Sequence, residues 1–155
     1  MSKKAVQDEY APNSICFGCG PSNKEGFQIK SYRTEDGLEM EFECEEKHQA
    51  FPGVINGGVI GSLIDCHGNW TAAIAIMDKN GFDEPQCTVT AQYEVKLNRP
   101  TPFGPKLKLK SRVLGLQKDR AEVIIELKAD GKTCATGRGL FIAVKEGHPA
   151  YHRWH

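Results

Sequence analysis

Three things are missing from this sequence, and each excludes a class of function. The chain has no net charge: twenty basic side chains stand against twenty acidic ones. No overall field therefore draws it to nucleic acid or to an anionic membrane, and neither is expected as a partner. It also lacks a long apolar run, because the longest stretches are broken by Gly, Asp or His before membrane-spanning length, and MSKKAVQDEY has no apolar signal-peptide core. The expectation is a cytoplasmic protein. Finally, it has no second Cys-x-x-Cys pair to complete the ligand set that Cys16 and Cys19 could begin. Cys16-x-x-Cys19 thus reads as a structural turn, and no metal or cofactor is expected. The six cysteines are scattered mostly through apolar or strand-like segments, which suits reduced thiols and not a disulfide framework.

The 155 residues suffice for one domain with its own core, and no internal repeat divides them. Residues 1–26, with CFGCGPSNKEG, are dense in turn formers and read as an irregular lead-in. Residues 27–145 read as a single domain, and 146–155 as a tail. Within the domain, Phe27–Tyr32 and Leu38–Cys44 flank an Asp36-Gly37 hairpin signal. HQAFPGVINGG interrupts regular structure, and a helix is expected over residues 58–77. Strands are expected near 87–98, 106–117, 120–129 and 132–145. Two strands, one long helix and four strands suggest an α+β fold in which an antiparallel sheet wraps a single helix.

A helical wheel separates two faces of that helix. Around Asp65 lie Gly58, Gly61, Ser62, Gly68, Asn69 and Ala72; opposite lie Val59, Ile60, Leu63, Trp70, Ile74 and Met77. The large face is expected to pack on the sheet. Glycine inside a helix costs about 1 kcal/mol relative to alanine, so the small face should serve a close approach. Either another backbone packs there with Asp65 paired to a base, or a ligand channel ends at the carboxylate. His67 lies two residues on, about 200° around the helix, which rules out an Asp–His dyad within one chain.

The segment HQAFPGVINGGVIGSLID resembles the signature of hotdog-fold thioesterases of the phenylacetate-degradation type, through Gly53, Asn56-Gly57-Gly58 and Asp65. CFGCGPSNKEGF is similar to a lead found in one branch of these proteins, and LNRPTPFG to their strand-ending turn. The likeness spans roughly residues 16–145. It implies a hotdog fold, a five- or six-stranded antiparallel sheet around one long helix, assembled as a homodimer or a dimer of dimers with active sites at the dimer interface. It further implies an acyl-CoA substrate, hydrolysed to free acid and CoA without a cofactor.

By the same resemblance Gly57 and Gly58 would form an oxyanion hole at the helix N-terminus, and Asp65 would act as general base or nucleophile. Thr90 matches a hydroxyl that positions water, its alternative being an ordinary strand residue. Arg99, and the Lys106/Lys108/Lys110 face, are the candidate grips for CoA phosphates, a solvated face being the alternative for the lysines. Asn56 stands where the family usually has His, and Ala50 where some relatives have Asn. A non-catalytic acyl-CoA or lipid-like ligand binder and an acyl-CoA hydratase using His48 are the competing functions. The tail GHPAYHRWH, with three histidines, could pack on the domain or across an interface.

Overall fold

The computed structural model describes residues 3–155. A short helix α1 (Val6–Tyr10) leads to β1 (Ser31–Arg33) and β2 (Gly37–Phe42). A 3-10 turn at Glu46–His48 and the small hairpin β3 (Gln49–Phe51) and β4 (Val54–Ile55) precede the long helix α2 (Gly57–Asn80). Four strands follow: β5 (Thr88–Leu97), β6 (Leu107–Leu116), β7 (Arg120–Ala129) and β8 (Lys132–Ala143). The main sheet is antiparallel, in the order β1-β2-β6-β7-β8-β5, and curls around α2 as the hotdog resemblance implies. Among the described residues no helix is long and apolar enough to cross a membrane.

Strand alternation explains the sheet. On β7, Ala121, Val123, Ile125, Leu127 and Ala129 are buried and the residues between them are not, the period-2 pattern of a half-buried strand. The β7–β8 turn is Asp130-Gly131, both at positive φ, the backbone a tight hairpin requires. The lysine face has a simple structural use. Lys108 lies opposite Glu41, Lys110 opposite Glu39 and Glu126, and Lys106 Nζ is 3.2 Å from Glu41. These cross-strand charge pairs make the face a solvated one and not an isolated basic patch.

The first strand is shorter than the sequence suggests. Gln28 takes φ 55°, and the amides of Phe27 and Ile29 bond to Phe17 O and Gly18 O. Residues 27–30 therefore pair with the cysteine loop before the chain joins the sheet at Ser31. The helix runs past Met77 to Asn80 and stops at Gly81, whose φ of 71° is the left-handed C-terminal conformation glycine favours.

The expectation for the two helix faces is reversed in part. Along the small stripe, a Cβ on Gly68 would press on Ile125 and Phe141 at 3.0 Å, and one on Gly61 would lie 3.6 Å from Tyr93 Oη. Small residues let the helix sit close on the sheet. Trp70, from the large face, instead stacks on Trp154 with ring centroids 4.1 Å apart and donates Nε1–H to Cys19 Sγ at 3.4 Å. The segments read as lead-in and tail thus close the outer side of α2, with Val6, Ala11, Cys19 and Trp154 all buried.

Candidate functional site

Asp65 lies eight residues into α2, half-buried, facing β5. Thr90 Oγ1 donates to Asp65 Oδ1 at 2.7 Å, so the strand hydroxyl picked out by its place in the sequence meets the helix carboxylate. Burial raises the Asp65 pKa above the ordinary carboxylate value, while the Thr90 hydrogen bond and the charge of Arg153 pull the other way. Arg153 comes from the C-terminal segment, where Nη2 donates to Thr88 O at 2.5 Å. Nothing periodic in GHPAYHRWH marks this placement.

The second group of candidates gathers at the start of α2. Asn56 is the helix N-cap: its Oδ1 accepts from the amides of Gly58 at 2.7 Å and Val59 at 3.2 Å. This changes the oxyanion hole expected of the Gly57-Gly58 pair, because the Gly58 N–H is already engaged. With Oδ1 occupied, the outward polar group of Asn56 is the Nδ2 donor. A Cβ on Gly57 would meet only Leu97, at 3.4 Å. The segments carrying the two sequence signatures are joined by backbone bonds, Ile55 N to Thr101 O and Phe103 N to Gly53 O, both 2.9 Å. Exposed Arg99 belongs to this corner of the molecule, two residues beyond Leu97.

These two groups do not meet in one chain. Gly57 and Asp65 are separated by eight residues of one helix, a rise of about 12 Å. A cleft of about 650 Å³ reflects the same division: it includes Asn56, Gly58, Val59 and Ser62 but not Asp65. Its other walls are Phe17, Phe27, Phe42 and His48, with Glu25, Glu43, Glu45 and Lys47 among the lining. Phe17, Phe27 and His48 lie within the two quoted segments and Phe42 on β2, and only the fold brings them to one cleft.

Both histidines near the site have structural bonds. His48 Nδ1 accepts the Glu45 amide at 2.9 Å, and burial lowers its pKa. His67 is fully buried and turned away from Asp65. Its Nε2 faces Leu38 O at 3.2 Å and its Nδ1 lies 2.8 Å from Ser31 Oγ. A carbonyl only accepts, so Nε2 carries the proton and Nδ1 accepts from serine. Burial brings the His67 pKa down to about 4, leaving a neutral ring at pH 7.

One cluster escaped the sequence reading. Cys16 and Cys19 are joined by Cys66 of α2, all three sulfurs lying within 4.8 Å of one another. Cys66 is neither close in sequence nor part of a paired motif, so spacing gives no signal for it.

A family model for the thioesterase superfamily matches residues 52–136. A thioesterase superfamily protein from Shewanella loihica is 30% identical, with 90% of this chain and 99% of that one covered and a TM-score of 0.69. A Haemophilus influenzae thioesterase is 18% identical over 79% of this chain and 84% of its own, with a TM-score of 0.67. A Bacillus halodurans protein, solved with CoA, is 21% identical over 77% and 76%, with a TM-score of 0.63. These last two show a common fold. None of the curated proteins matches the sequence.

Proposed function

This chain belongs to the thioesterase superfamily, and we propose that it hydrolyses acyl-CoA thioesters to free acid and CoA at a site shared by two copies of the chain. The observation that carries this reading is the separation of Gly57 from Asp65 along one helix, about 12 Å. A single carbonyl carbon cannot touch both. A second copy can supply the missing carboxylate, and β5 offers the means. It is an edge strand of ten residues, with its own Tyr93 and Leu97 exposed, and such an edge favours pairing with another strand.

In the proposed site the thioester carbonyl accepts hydrogen bonds from the Gly57 N–H and from Asn56 Nδ2, at the positive end of the α2 dipole. Asp65 of a second copy, oriented by Thr90, acts in one of two ways. It takes a proton from water as the water oxygen bonds to the carbonyl carbon, or it attacks that carbon to form an anhydride that water then cleaves. Either way the C–S bond breaks and the sulfur of CoA leaves as a thiolate that gains a proton. The aromatic walls of the cleft suit the acyl group. Its carboxylates, Glu25, Glu43 and Glu45, disfavour the CoA phosphates, which we assign to exposed Arg99. CoA in the Bacillus halodurans structure supports a CoA ester as substrate, and six free thiols suit a reducing cytoplasm.

One observation favours a second reading, an acyl-CoA binder without turnover: the Asn56 cap occupies the Gly58 amide. The test is CoA thiol release from short, long and aromatic acyl-CoAs by the wild type and by Asp65→Asn. Hydrolysis by the wild type that is lost in the variant, with CoA binding retained, is expected. Saturable binding with no hydrolysis by either protein would leave the binder.

A further inference from the structure

The three thiols of Cys16, Cys19 and Cys66 have a geometry that the thioesterase reading does not use. Cys16 Sγ and Cys66 Sγ are 3.8 Å apart. Four ligands about 2.3 Å from a tetrahedral zinc ion stand about 3.8 Å from one another, so this pair is already at the spacing of two ligands on one ion. Cys19 Sγ completes the triangle, within 4.8 Å of both. No disulfide joins any of them.

The surrounding chain is shaped to allow this approach. A Cβ on Gly18 would run into Cys66 Sγ, so only glycine between the two loop cysteines admits the helix thiol. Gly20 is tied back by its amide to Cys16 O at 2.8 Å, and a Cβ there would strike the backbone of Ser14, Ile15 and Cys16. These contacts fold Cys16-Phe17-Gly18-Cys19-Gly20 into a turn with both sulfurs on one side. An N–H group aims at one of the sulfurs as such groups do around thiolate ligands: Trp70 Nε1–H donates to Cys19 Sγ. A zinc ion held by the three sulfurs takes them as thiolates and releases their protons.

We propose that Cys16, Cys19 and Cys66 bind one zinc(II) ion as three thiolates, with the fourth position open to water on the half-exposed Cys16 side. The ion clamps the cysteine loop to α2 and so fixes Phe17, a wall of the cleft. This inference is independent of the hydrolytic reading, since metal content is measured without substrate.

The test uses the full chain, reduced and stripped of metal, titrated with cadmium(II) as a spectroscopic stand-in. Sulfur-to-cadmium charge-transfer absorbance that saturates at one ion per chain, and is reversed by zinc, is expected. Cys66→Ser should abolish it and Cys44→Ser should leave it unchanged. Because Cys66→Ser could misfold, zinc protection of Cys16 and Cys66 from a thiol reagent is followed in the wild type, with Cys44 as the reactive reference. Absent charge transfer, binding that survives Cys66→Ser in a folded protein, unprotected Cys16 and Cys66, or a Cys16–Cys66 disulfide that forms in place of metal binding would each overturn the proposal.

Discussion

The hydroxyl of Thr90 on β5 donates to the carboxylate of Asp65 on α2 at 2.7 Å, and this bond holds the carboxylate in one orientation. Removing the hydroxyl while keeping the shape, with Thr90→Val, leaves Asp65 without its orienting partner. A hydrogen bond to a charged group is worth about 1.5–3 kcal/mol, so kcat should fall roughly 10- to 100-fold. KM should change little, because Thr90 is not assigned a substrate contact. Steady-state kinetics with the best acyl-CoA of the panel checks this, and an equal loss in KM would show a binding role instead.

The capping role of Asn56 can be separated from the carbonyl contact proposed for it. As the cap of α2 it accepts from Gly58 and Val59, and Asn56→Ala should cost about 1 kcal/mol of stability. Asn56→Asp keeps the accepting oxygen but removes the Nδ2 donor. It should hold the wild-type urea midpoint, yet lose at least about 10-fold in kcat/KM if that donor serves the carbonyl. Unchanged kinetics in Asn56→Asp would free Asn56 of any role beyond the cap.

The C-terminal segment is structural. Trp154 is buried and stacks on Trp70 at an interplanar angle of 14°. Trp154→Ala opens a cavity over α2 and should destabilise the fold by about 3–5 kcal/mol, read as a shift in chemical denaturation. A change under 1 kcal/mol would mean that the indole stack is not held in solution.

His67 gives stability a pH dependence of known sign. Its pKa is lowered from 6.5 to about 4 by burial among neutral groups, with the Leu38 carbonyl pulling weakly the other way. Between those values the unfolded chain binds a proton that the folded chain refuses. The His67 contribution is therefore intact above pH 6.5 and is lost as pH falls toward 4, at up to about 1.4 kcal/mol per pH unit. Denaturation curves across that window should show the slope in the wild type, and His67→Gln should flatten it.

Much of this protein could be read along the chain. The extents of β5 to β8 and the long helix were legible because apolar residues recur at the strand or helix period and turn residues separate them. Asp65 stood out as an acid inside a helix, ringed by small residues, and its segment resembled a known signature. The small face itself was ambiguous: its glycines admit close approach, and only the position of Phe141 and Ile125 shows that part of what approaches is the sheet. The short first strand was misjudged because a single positive φ at Gln28 redirects residues 27–30 to the cysteine loop, and periodicity carries no trace of that bond.

By itself, then, the sequence determined the order of elements, the approximate extent of the helix and the presence of an acid inside it. These depend on local propensity and on patterns within a few turns or strands. Only the tertiary structure decided that Thr90 would meet Asp65, that Asn56 would cap its own helix, that Trp154 would cover Trp70, and that Cys66 would join Cys16 and Cys19. Each of these pairs residues from separate segments, 25 positions apart for Thr90 and Asp65 and 50 for Cys16 and Cys66, or depends on a rotamer choice at a helix end. The shared cause is burial of the apolar faces of sheet and helix, which fixes side chains that no local preference brings together.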